Sequence, residues 1–275
     1  MKRREFIAGL GSAAAWPVVA RAQQPPMPVV GYRSFGSLES TSEIVAAFRR
    51  GLSETGYVGG RNLSIEYRWA RDDLDRLPSL ADDLVRRKVA VIVAMGTPVA
   101  LAAKAATKLI PIVFSIGADP VEVGLVASLN RPAGNLTGMS ILLSAVATKR
   151  LQLLHEVVPT AMSIALLINS ADSAIAEPYA KEMERSARSI GAPLLVLNAT
   201  SESEIDAAFA VLASKQADGL VVGGHSLFFS HTDQLVTLAA RHGVPAIYLW
   251  REGAAAGGLM SYGTDRLQAF RQVGA

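Results

Sequence analysis

The chain of 275 residues contains no cysteine. Disulfides, thiolate metal sites and cysteine nucleophiles are therefore excluded, and an oxidising compartment is compatible with the absence. Beyond the N-terminal segment, no run reaches the roughly 18 consecutive apolar residues that span a bilayer. Surplus charge is missing as well. The formal net charge is +3, but the 27 basic and 24 acidic residues include Lys2, Arg3, Arg4, Glu5 and Arg21 of a leader expected to be removed. Without that leader 23 of each sign remain, so no basic stripe points to nucleic acid. The sequence also lacks a GxSxG elbow, a phosphate-binding P-loop, an HExxH motif and a GxGxxG fingerprint. Gly224-His225-Ser226 has the look of an elbow, but Phe228 stands in place of its last glycine. Half the residues are apolar and 19% are charged, a balance that a disordered chain does not have.

Residues 1–22 read as an export signal. Lys2-Arg3-Arg4 is the positive start, residues 6–20 form the apolar core, and Ala20-Arg21-Ala22 supplies the small-x-small cleavage pattern. Arg3-Arg4-Glu5-Phe6-Ile7 resembles a twin-arginine motif, which addresses folded cargo to the Tat route. The mature protein is expected to be soluble and periplasmic.

Residues 89–120 organise the rest. A β-branched apolar run, 89–95, is short enough for a buried strand. Gly96-Thr97-Pro98 breaks it; proline suits the first turn of a helix, and the threonine before it suits a cap. Residues 99–108 read as helix, 110–114 as a second strand and 115–120 as the loop that leaves it. In an open parallel sheet, loops at the strand C-terminal ends line the ligand crevice.

The same order precedes and follows this unit. Strands are expected at 29–32, 62–67, 163–168, 194–197, 219–222 and 244–248. Helices are expected at 42–55, 72–88, 177–190, 201–215 and 232–242; Ser201-Glu202-Ser203-Glu204 fits a capping box. Two successive halves of alternating strand and helix predict an α/β protein of two doubly wound lobes, each a parallel sheet flanked by helices, joined by a hinge. The expected division is a leader at 1–22, lobe 1 at 23–140 completed by part of 258–275, and lobe 2 at 141–257. Residues 136–143 read as a crossing strand, and 254–262 as a glycine-led strand and return crossing. A helix begins at 265.

Residues 93–98, 110–120, 125–138 (LVASLNRPAGNLTG), Trp250-Arg251-Glu252 and 257–263 (GGLMSYG) together resemble the periplasmic substrate-binding proteins of ABC importers, in the subgroup with tryptophan- and tyrosine-binding members. Ala133 departs from the family, which usually has a second glycine there. Family members also run on past this C-terminus, so a shortened chain is expected. The resemblance implies the type I periplasmic-binding-protein fold and a small polar ligand, with an aromatic amino acid or related carboxylate as its family-based identity. It also implies an inner-membrane ABC permease with its ATPase as partner, a monomer, no cofactor and no catalysis.

If two lobes close on a ligand, contacts come from loops at strand C-terminal ends in both. In lobe 1 these are Ser34, Phe35, Gly96, Thr97, Ser115 and Asp119. Thr97, at a helix N-terminus, suits a carboxylate or is a plain cap. Asp119 binds an ammonium or starts a turn. In lobe 2 the candidates are Asn169 and Ser170, at the repeat position of Ser34, and His225 and Ser226, at that of Thr97. Tyr248 is core or stacks on an aromatic ligand, and Glu252 is a ligand contact or the partner of Arg251. His225 and His231, six apart with no third ligand, make a poor metal pair. Two rival readings remain open: an enzyme, because open α/β sheets host many chemistries, and a ligand sensor that docks on a membrane receptor.

Overall fold

The computed structural model describes residues 27–71, 73–171 and 173–275. The leader and twin-arginine motif lie outside the described residues. No helix among the described residues is long and apolar enough to cross a membrane.

The two expected parallel sheets are both present. The first contains β1 (Val29–Ser34), β2 (Ser64–Trp69), β3 (Val91–Met95), β4 (Ile112–Ile116) and β5 (Leu136–Ser140), in the order β2-β1-β3-β4-β5. All of its neighbours pair parallel. The second contains β6 (Ile164–Ile168), β7 (Leu194–Asn198), β8 (Gly219–Val222), β9 (Ala246–Tyr248) and β10 (Met260–Ser261), in the order β10-β9-β8-β6-β7. Counted from its own first strand, this is the same topology. Each order reverses direction once, beside its first strand, and such switch points are where open α/β sheets bind ligands.

Alternation along the strands explains why both faces are covered. In β1, Val30 and Tyr32 face one cluster, with α1 (Leu38–Glu54) and α10 (Arg266–Gly274) supplying Val45, Phe48, Phe270 and Val273. In β3, Ile92 and Ala94 face the other side, onto α2 (Leu77–Arg86) and α3 (Thr97–Ala106). Lobe 2 repeats the scheme. Ile164 and Leu166 pack with α4 (Leu143–Val157) and α5 (Ser173–Ser189), whereas Ala165 and Leu167 pack with α6 (Glu202–Ser214) and α8 (Thr232–Arg241). Two short helices, α7 (Ser226–Ser230) and α9 (Arg251–Ala255), follow β8 and β9.

Two connections differ from the sequence reading. Residues 136–143 do not form one crossing strand: β5 is the edge of the first sheet, and α4 already begins at Leu143. Residues 254–262 are mostly not strand; α9 ends at Ala255 and only Met260–Ser261 pair, with β9. The chain thus passes between the lobes at residues 141–142 and returns at 262–265. After that return, α10 lies along α1 of lobe 1. The crossing is close: a Cβ on Gly51 would stand 1.9 Å from the Arg271 carbonyl oxygen, and one on Gly274 2.1 Å from that of Phe48.

Candidate functional site

Both walls of the site follow from where strands end. β1 runs out at Ser34 and Phe35, and β3 at Met95. Gly96 then takes φ +108°, open to glycine at little cost, and this turn delivers Thr97 to the first position of α3. Pro98 follows in the first helical turn, where its missing N–H costs nothing. On the opposite wall β8 ends at Val222, and Gly223-Gly224 lead to His225 as the cap of α7.

Between these walls lies a cavity of about 200 Å³. Lobe 1 lines it with Ser34, Phe35, Gly96, Thr97 and Ser115, and lobe 2 with Gly224, His225, Ser226, Phe229 and Trp250. The crossing contributes Ile141, the start of α4 contributes Leu143, and α10 contributes Arg266 and Phe270. The walls touch, because the Phe35 and His225 rings meet edge-on with centroids 6.4 Å apart. The lining is mainly apolar with a few polar groups, the usual make-up of a small-molecule site.

Those polar groups are mostly donors. Thr97 has no exposed surface, and its Oγ1 has no hydrogen-bond partner among the described residues. The free N–H groups of α3 add a favourable dipole for an anion there. His225 accepts the Leu227 N–H at Nδ1 over 3.2 Å, so the ring proton of the neutral imidazole resides on Nε2. Burial pulls the pKa of His225 down to about 4, which keeps the ring neutral.

Arg266 joins the two lobes. Its guanidinium carbon sits 3.2 Å over the Phe229 ring. Its Nη2 lies 3.6 Å from Glu43 on α1 and 3.8 Å from Glu252 on α9. Burial lowers the pKa of this guanidinium, and Glu252 and Glu43 oppose the shift. A closed cleft therefore holds one cation between a lobe-1 acid and a lobe-2 acid.

Of the residues picked from sequence, Ser34, Phe35, Gly96, Thr97, Ser115, His225 and Ser226 line this cavity together. Asn169 lines a smaller recess next to it, also bordered by His225. The other four stand apart. Asp119 Oδ1 accepts the N–H groups of Val121 and Glu122, as a turn cap does. Ser170 is exposed, and its N–H donates to Asn198. Tyr248 is buried in the lobe-2 core, with its pKa raised to about 12 by burial. Glu252 reaches the cavity only through Arg266; Arg251 lies nearest Asp265, at 4.0 Å. Sequence reasoning missed Arg266, Phe229 and Phe270. Trp250 was visible only within the family-like segment.

The titration of His225 gives a stability prediction. Its folded pKa is below the ordinary value of an unfolded histidine, so the unfolded chain takes up the proton first as pH falls. Stability is present above about pH 6.5 and is lost progressively towards about pH 4. Urea unfolding should show a loss of about 1–2 kcal/mol between about pH 7 and pH 5, and His225→Phe should remove most of that difference. An undiminished pH slope in the variant would assign the effect to another group.

Comparison with known proteins agrees with this geometry. The family described as ABC transporter substrate binding protein matches residues 3–275. A protein from Clostridioides difficile (strain R20291) described as a tyrosine-binding protein is 31% identical over 218 residues, 79% of this chain. The chain spans 62% of that relative's length. Among solved structures, a conserved domain protein from Vibrio cholerae is 26% identical with a TM-score of 0.81, over 90% of this chain and 82% of that one. A Streptococcus pneumonia protein solved in complex with L-Trp superposes with a TM-score of 0.78 over the same shares, at 24% identity, and is a likeness of fold. With its two parallel sheets and the family match over nearly its whole length, the chain belongs to the family of ABC transporter substrate binding proteins.

Proposed function

We propose that this chain captures a small solute between its two lobes, an aromatic amino acid or a related aromatic carboxylate, and presents the closed form to an ABC permease and its ATPase. It acts outside the cytoplasm, as the leader implies, and as a monomer. The lobes correspond to the two sheets with their helices, with α10 returned to lobe 1.

The observation that carries this reading is the cavity itself, lined from both sheets at their strand C-terminal ends. A ligand there touches both walls at once. Its binding energy then favours the closed arrangement over an open one, and only a difference of that kind shifts a conformational equilibrium. The apolar walls of Phe35, Phe229, Trp250 and Phe270 suit a ring, while Thr97 and the start of α3 suit a carboxylate. The reading needs no chemical step. Nδ1 of His225, the nitrogen able to take a proton, is already used by the Leu227 N–H.

A thermal-shift screen tests it. Ligand at 100 times its dissociation constant adds about 2.7 kcal/mol. In a chain of this size that corresponds to a rise of roughly 5–10 °C. L-tryptophan, L-tyrosine and aromatic carboxylates form the panel, and a rise with at least one of them is expected. A flat response to the whole panel removes the proposal.

A further inference from the structure

A second, smaller recess opens beside the main cavity on its lobe-2 wall and shares Leu143, Gly224 and His225 with it. It holds about 30 Å³, room for a polar group the size of a water or two. Its position is the switch point of the second sheet, between the C-terminal ends of β6 and β8. In the repeat this corresponds to the place of Ser34 and Thr97 in lobe 1.

The recess is largely apolar, and the few polar side chains in its lining have protons to donate. Asn169, 7% exposed, accepts the Ala171 N–H at Oδ1 over 2.9 Å, which leaves its amide protons to offer. Tyr179, 3% exposed, accepts a hydrogen bond from Nη2 of Arg150. With its oxygen so used, the phenol has its own proton left to give. Burial raises the pKa of Tyr179, so that proton stays on.

Behind Tyr179, Arg150 has no exposed surface. Its Nη1 donates to the Val222 carbonyl over 2.5 Å, and no carboxylate lies within ion-pair distance of it among the described residues. A guanidinium stripped of water and given only neutral acceptors is an uncompensated buried charge. It favours negative charge or oxygen lone pairs on the other side of Tyr179, its hydrogen-bond partner, which lines the recess.

We propose that this recess is a subsite for an oxygen acceptor at the far end of an aromatic ligand, held by Tyr179 and Asn169 and favoured by the charge of Arg150. The proposal rests on the reading of the main cavity as the solute site. A ring hydroxyl or a ring carboxylate fits the subsite. An indole N–H, being a donor, meets donors there and does not.

The test uses two ligand pairs that differ only in one ring oxygen: 4-hydroxyphenylpropionate against phenylpropionate, and L-tyrosine against L-phenylalanine. Calorimetric titration of the purified protein should give at least one pair in which the hydroxylated member binds roughly tenfold tighter, as expected of a hydrogen bond to a charge-backed donor. Tyr179→Phe should reduce that ratio below about threefold. Should that variant fail to fold, Asn169→Ala reads the same ratio and should also lower it. Equal affinities within both pairs overturn the subsite while leaving the main cavity as a solute site. So does a preference that survives in whichever variants fold. If none of the four ligands binds, the reading of the main cavity for aromatic solutes falls, and the subsite with it.

Discussion

Gly51→Val is expected to lower the unfolding free energy by about 3 kcal/mol or more and to weaken ligand capture in the same variant. Gly51 lies inside α1, where replacing glycine would ordinarily gain up to about 1 kcal/mol of helix propensity. The crossing with α10 reverses the sign. A Cβ here meets the Arg271 carbonyl oxygen at 1.9 Å, and backbone cannot swing aside as a side chain does. The helices must separate, opening the contacts of Phe270 and Val273 with Val45 and Phe48. Because α10 also carries Arg266 into the cleft, its displacement loosens a cation that touches acids of both lobes. Denaturant unfolding and calorimetric titration read the two effects separately. Unchanged stability would mean that α10 is not seated on α1 in solution.

Thr97→Val separates stability from binding with opposite signs. Among the described residues the Thr97 hydroxyl is buried without a partner, so its removal should leave stability unchanged or raise it by up to about 1 kcal/mol. On the proposed reading that hydroxyl faces the ligand's carboxylate, and its loss should weaken affinity by roughly 1–3 kcal/mol, about 5- to 150-fold. Valine keeps the β-branched shape, so packing against the strand ends is preserved. A variant that loses stability without losing affinity would make Thr97 a packing residue at the start of α3 and no ligand contact. A variant unchanged in both would move the carboxylate elsewhere in the cavity.

The repeat was legible because buried parallel strands write themselves as short β-branched runs, as in Val91–Met95 and Ile164–Ile168. The cap at Ser201 was legible for the same local reason: Ser201 accepts from the Glu204 N–H, and the Glu204 carboxylate takes the Thr200 N–H, which holds its pKa below the usual range. The cap expected at Thr97 does not form, because Gly96 takes that place and Thr97 is already inside α3. The helix α4 went unread although Leu143, Ala147, Leu151 and Leu154 recur at helical spacing and are all buried. Its start carries no capping side chain; Leu142 simply turns through φ +44°. Leu143 also extends the apolar run of the preceding strand in the sequence. The helices α7 and α9, of five residues each, are too short for any period to show.

The site divides in the same way. Thr97 and His225 were picked because each follows a strand end at equivalent points of the repeat, and both line the cavity. Arg266 was not, because nothing near residue 266 indicates a cavity; the chain must first return to lobe 1 before that side chain meets Phe229. Asp119 was over-read, since an aspartate before proline has a purely local use in binding the N–H groups just beyond it.

The return of the chain has a consequence for biosynthesis. Glu54 and Arg271, which pair at 2.7 Å across α1 and α10, are 217 residues apart in sequence. A nascent chain therefore presents Phe48 and its apolar neighbours on α1 without their final cover while every strand of the second sheet is translated. The second half, by contrast, is contiguous and has its partners at hand as it emerges. Completion of the first half is thus a late event in synthesis, and a holdase that shields one amphipathic helix until then would act on the segment around Phe48.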